Sequence, residues 1–250
     1  MGNEKKILLI GRHGQAPQKP EGGSVDTLIH GEIQRVYSQI GQPLSQIMMH
    51  EEIRLNDTFL TRTNKERTGY TGKAVLIGAL GITPLTGENP PKTIDDLSDY
   101  DFGSLQITQD DRLNLVEPHA NLQMYKEQGS NAVLNYWLKH PYEDTCYGQP
   151  MQVFTQLQKR VTDGVMDSIG KIVSNQKRFG VVVSHGTVIE TAFIKLIEST
   201  RTKPIETIEE IGGGLEMGEF ATLTSEKHNG IYRPTLELKG QKYQIDLNKI

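Results

Sequence analysis

At 250 residues the chain is long enough to bury a full core as one domain. Its 27 Lys plus Arg stand against 31 Asp plus Glu with no long basic run, which argues against nucleic-acid binding. One cysteine, Cys146, excludes an internal disulfide and fits a reducing, cytoplasmic setting. No secretory leader is expected, and no apolar stretch is long enough to span a bilayer, so no membrane partner is expected either.

The first element is residues 5–15, KKILLIGRHGQ. Ile7 to Ile10 form a continuous apolar run, the pattern of a strand buried on both faces of a largely parallel sheet. Arg12 and His13 follow where that strand ends, and the carboxyl ends of such strands are where ligands bind. Gln15 is a further candidate on the same loop, and Pro17–Gly23 reads as a Pro/Gly-rich rim. The spacing of Ile33, Val36, Tyr37 and Ile40 predicts a packing helix over 28–45, and residues 51–60 contain the next strand. Ala74, Val75, Ile77 and Leu80 mark the buried side of another helix. Ile82–Leu85 reads as a short strand, and 87–91 as a turn.

Residues 107–149 are the least patterned, with helices expected over 120–129 and 131–138. Val153, Phe154, Leu157, Val161, Val165, Ile169 and Ile172 predict a long helix over 151–173, with Pro150 as its initiator. Phe179–Ser184 (FGVVVS) is a second compact strand, and it too delivers a histidine, His185, at its end. Thr187 to Glu190 open a helix behind it. Gly212–Gly214 is a flexible turn that lacks the lysine of a nucleotide phosphate loop. Residues 217–224, 231–238 and 242–247 read as late strands, added antiparallel at an edge.

These motifs resemble the histidine phosphatase superfamily, the clan of cofactor-dependent phosphoglycerate mutases and related phosphatases. Arg12-His13-Gly14 is similar to its N-terminal RHG, and Ser184-His185-Gly186 to its C-terminal HG pair. Thr63, Arg67 and Thr71 resemble the segment carrying a phosphate-binding arginine, with Arg62 a rival for that task. Leu97, Phe102, Gly103, Leu105 and Gln106 frame a stretch resembling the one that supplies the proton donor. Asp99 stands there where most members have Glu, with Asp101 and Asp96 as deputies.

The resemblance implies a three-layer α/β/α sandwich over residues 1–250, mostly parallel in its central sheet with antiparallel edge strands, and an insertion covering the site at about 107–149. It implies a metal-independent phosphomonoester hydrolase without a cofactor, in which His13 is the nucleophile and forms a phosphohistidine. Arg12, Arg67 and His185 would hold the phosphate oxygens, and Asp99 would serve as general acid and then base. Two histidines and a carboxylate could instead ligate a metal, but the adjoining arginines favour an anion.

A glycolytic mutase is the less favoured alternative. Arg112 is the only arginine between Arg67 and Arg160, and Thr187 follows His185-Gly186 where the mutases have Asn. A catalytically weakened member used for protein binding is the other alternative, since Ala16 stands where the family has Ser, Thr or Asn. The expected partner is a small phosphorylated molecule or, failing that, a phosphoprotein; a homodimer stays open.

Overall fold

The computed structural model describes residues 5–17, 25–86, 90–114, 122–142, 154–174, 176–228 and 231–250. Most of the rim at 17–23, the turn residues 87–89, Cys146, Pro150 and the helix start at 151–153 lie outside them. Seven strands form one sheet: β1 (Lys5–Arg12), β2 (Thr58–Arg62), β3 (Gln106–Gln109), β4 (Phe179–Ser184), β5 (Phe220–His228), β6 (Ile231–Leu238) and β7 (Gln241–Gln244). Their order is β3-β2-β4-β1-β5-β6-β7. The first four run parallel, and β5, β6 and β7 continue the sheet antiparallel.

Seven α-helices are described: α1 (Glu32–Val36), α2 (Ser45–His50), α3 (Glu66–Leu80), α4 (Leu122–Gln128), α5 (Ser130–Lys139), α6 (Phe154–Val173) and α7 (Ile189–Glu198). The unbroken apolar run of β1 is explained by layering. Ile7 and Leu9 point to one face, where they meet Val36, Val75 and Leu76 from α1 and α3. Leu8 and Ile10 point to the other, against Val161, Val165 and Ile169 of α6 and Phe193 of α7. Helices thus cover both faces, and the fold is a three-layer α/β/α sandwich. No helix among the described residues is long and apolar enough to cross a membrane.

Three elements differ from the sequence reading. Ile82–Leu85 is not a strand; Pro84 offers no N–H to a ladder. The parallel edge is filled instead by β3, so the stretch expected as an insertion from 107 begins inside the sheet. The helix expected over 28–45 runs from Glu32 to His50 and is irregular in the middle, with a π-helical turn at Tyr37–Gly41 and a 3₁₀ turn at Gln42–Leu44. Pro43 removes a donor there, and the widened turn lies against α3. A Cβ on Gly41 would come within 2.4 Å of the Val75 carbonyl oxygen, and one on Gly78 within 2.7 Å of the Tyr37 carbonyl oxygen and the Gln42 nitrogen. Two glycines let the backbones touch.

This crossing gives a stability prediction. Gly78→Val should lower the unfolding free energy by about 1–3 kcal/mol, because a side chain there meets backbone that cannot swing aside. Gly170→Ala in α6, where an added Cβ meets nothing within 4 Å, should raise it by roughly 0.5–1 kcal/mol. Urea denaturation of both variants is the check, and a neutral G78V would show that the crossing can open without cost.

Candidate phosphate-binding site

The site is assembled by strand register. β1 and β4 pair in parallel with Arg12 opposite Ser184, so the residue that follows each strand emerges at the same sheet edge. The His13 N–H donates to the Ser184 carbonyl at 3.0 Å. The two imidazoles lie 5.0 Å apart, centroid to centroid, with an interplanar angle of 70°. Both are buried, at 6% and 2% exposure.

The loop after β1 fixes the first ring. Gly14 N–H donates to Thr71 Oγ1 at 3.0 Å, and that hydroxyl donates to the Arg67 carbonyl at 2.8 Å. Glu32 takes the Gln15 N–H at 2.9 Å and pairs with Arg35, so Gln15 is held by its backbone while its side chain is exposed. His13 Nδ1 lies 2.6 Å from the Gly14 carbonyl oxygen. A carbonyl can only accept, so Nδ1 carries the proton and Nε2 keeps its lone pair. Burial, then the charges of Arg67 and Arg12, lower the His13 pKa to about 3. The ring is therefore neutral at physiological pH, with its lone pair on Nε2.

His185 is the opposite tautomer. Its Nδ1 faces Arg67 Nη2 at 3.5 Å, and a guanidinium only donates. Its Nε2 therefore holds the proton and donates to Thr63 Oγ1 at 3.2 Å. Thr63 passes its own hydroxyl proton to Thr68 Oγ1 at 3.1 Å, and Thr68 donates to the Lys65 carbonyl at 2.6 Å. Burial, with His13 and Arg67 as the next causes, holds the His185 pKa well below its ordinary value. An oxyanion between the rings would offset the arginine charges and draw a proton onto Nδ1, turning His185 into a donor.

Arg12 and Arg67 come from different layers. Arg67 sits in the first turn of α3, where an anion is also favoured by the helix N-terminus. Its Nη1 donates to the Val25 carbonyl at 3.3 Å, and its N–H to Asp26 Oδ1 at 3.2 Å. Arg12 Nη1 donates to the Leu215 carbonyl at 3.0 Å and Nη2 to the Tyr125 hydroxyl at 3.2 Å. The guanidinium lies flat against Gly186, where a Cβ would come within 2.5 Å of Cζ.

Arg62 turns aside: Nη1 donates to the Thr63 carbonyl at 3.2 Å and lies 3.8 Å from Glu66. Thr187, buried behind His185, adopts φ +63° and donates its hydroxyl to the Gly186 carbonyl at 2.6 Å.

Arg12, His13, Arg67 and His185 thus come together. The described hydrogen bonds of the two expected donors involve neither histidine and neither arginine: Asp99 Oδ1 accepts from Thr86 Oγ1 at 3.0 Å, and Asp101 Oδ1 from the Gly103 N–H at 2.8 Å. Asp96 caps Lys92 and Thr93. The carboxylate whose charge acts on His13 is that of Asp26, which no sequence motif marks. Tyr125 and Glu190 carry no motif signal either, although Glu190 stands in the first turn of α7, three residues after Thr187. Among the described residues, no group of three or more His, Cys, Asp or Glu side chains is placed to hold a metal ion.

No protein-family profile matches the sequence, and no curated protein does. Solved structures do share its fold. A mycobacterial glucosyl-3-phosphoglycerate phosphatase superposes with a TM-score of 0.54 at 13% identity, over 93% of this chain and 97% of that one. A protein described as mycobacterial hydrolase 1 gives 0.54 at 14%, over 94% and 99%. A phosphoglycerate mutase from Bacillus anthracis gives 0.50 at 14%, over 96% and 94%. At these identities the likeness is one of fold.

Two histidines held neutral by the fold make stability depend on pH. Between about 6.5, the pKa in an unfolded chain, and about 3, the unfolded state carries a proton on residue 13 that the folded state refuses. Stability is therefore full above 6.5 and falls as pH falls through that window. The urea midpoint should drop between pH 7.5 and 5, and it should drop less in a His13→Gln, His185→Gln double variant. An equal drop in both proteins would assign the pH dependence to other groups.

Proposed function

We propose that the protein hydrolyses phosphomonoesters without a metal, through a phosphohistidine on His13. The observation that carries this reading is the state of that ring: a neutral imidazole, its Nδ1 proton given to the Gly14 carbonyl, beside two guanidiniums and a second histidine. His13 Nε2 attacks phosphorus and the ester P–O bond breaks. Arg12, Arg67 and His185 gather the charge that collects on the non-bridging oxygens. A carboxylic acid protonates the leaving alkoxide; the resulting carboxylate then takes a proton from water as it attacks phosphorus and the P–N bond breaks. Atoms and protons balance over the two steps, with phosphate and the alcohol as products.

Asp99 is the proposed acid, on the strength of the stretch Leu97–Gln106. Asp26 is a second reading favoured by contact: it is hydrogen-bonded to the backbone of the clamp arginine, and its charge acts on His13. Phosphatase fold neighbours support the reaction class, and the lack of a second arginine pair supports hydrolysis over a mutase cycle. A small phosphorylated molecule is the proposed substrate.

Rapid quench with a labelled monoester should give acid-labile phosphate on the wild type and none on His13→Ala. His185→Ala should keep the label but lose about 10²–10³ in rate. The true donor is identified by comparing Asp99→Asn and Asp26→Asn. Its removal should slow an alkyl phosphate by about 10²-fold or more, while p-nitrophenyl phosphate still gives a burst of nitrophenolate before slow turnover. Equal labelling of the wild type and H13A would place the nucleophile elsewhere.

A further inference from the structure

Glu190 is a buried carboxylate that the reaction above does not use. It lies in the first turn of α7 at 1% exposure, and its Oε2 has no hydrogen-bond partner among the described residues. Burial raises its pKa, while the charge of Arg12 and the backbone N–H groups of Glu190, Leu215 and Thr187 favour the ionised form. A carboxylate in such a place costs stability unless its partners repay it. The partners are informative. Its Oε1 accepts from the Leu215 N–H at 3.0 Å, and the carbonyl of that same residue accepts from Arg12 Nη1 at 3.0 Å. One residue of backbone joins the acid to the phosphate clamp.

The same carboxylate also faces the turn that carries His185. Thr187 is β-branched and sits at φ +63°, a conformation that such residues rarely adopt and that needs support from its surroundings. Its N–H is one of the groups that favours ionised Glu190. Leu215 is anchored from its other side as well, because the Gly214 N–H donates to Asn131 Oδ1 at 3.0 Å. The loop holding Arg12 is thus strung between α5 and Glu190.

We propose that Glu190 is a positioning residue of the phosphate site, acting on Arg12 through the Leu215 backbone. This rests on the phosphate-binding reading of the site and deepens it. Glu190 touches no substrate. It holds the peptide segment whose carbonyl accepts from Arg12 Nη1, beside Gly186.

The test uses binding of inorganic phosphate, read by calorimetry and so independent of turnover. Glu190→Asp keeps the charge but is one methylene too short for the Leu215 N–H, and Glu190→Gln keeps the reach. E190D should weaken phosphate binding by about tenfold, the scale of one lost hydrogen bond to a charged group, and E190Q should recover most of that loss. In an Arg12→Ala background E190D should have no further effect, because there is no guanidinium left to position.

An equal loss from E190D with and without Arg12 would overturn the proposal and make Glu190 a fold residue only. So would unchanged binding by E190D. A wild-type protein that fails to bind phosphate would remove the functional reading and this inference together, whereas a binding wild type with an indifferent E190D removes this inference alone.

Discussion

When Arg12 pairs with Ser184 at the carboxyl ends of two parallel strands, the next residues of each strand can only emerge beside one another. His13 and His185 then share one small volume, and every other part of the site is arranged to make that tolerable. α3 brings Arg67 to the rings from one layer. α7 and the loop at Leu215 bring support to Arg12 from the other. The sheet supplies the position, while the two outer layers supply the charge.

Two arginines beside two buried imidazoles form an electrostatic arrangement that suits an anion. Both rings are kept neutral by the fold, and the single proton sits on a different nitrogen in each. His13 offers a lone pair at Nε2, because Nδ1 is committed to a carbonyl. His185 offers its Nδ1 side, because Nε2 is committed to Thr63. Chemically equivalent residues thus present different ring nitrogens because of single hydrogen bonds.

The central strands were legible because burial on both faces leaves a continuous apolar run, and the strand-end histidines were legible from their place after such runs. β3 was not. Its four residues, Gln106–Gln109, are mostly exposed at an edge and carry no hydrophobic signal, whereas Ile82–Leu85 imitates a strand in composition yet contains Pro84. The two arginines could be read from their motifs, but Asp26 could not, since its link to Arg67 spans 41 positions and follows no spacing rule. Glu190 shows the limit most plainly. Its short distance from Thr187 is local and visible, while its bond to Leu215 is tertiary.

The mixed sheet also bears on the order in which the molecule comes together. β5, β6 and β7 are successive antiparallel neighbours whose pairing closes only short loops. The contacts that define the site span most of the chain, and Arg12 reaches Leu215 across 203 positions. Loop-closure entropy must be met before such distant contacts reward it. A ribosome-bound chain that already contains Arg12, His13 and Arg67 therefore lacks the pocket altogether. The two histidines can meet, and Arg12 can be fixed, only after β4 and the Leu215 loop have been made.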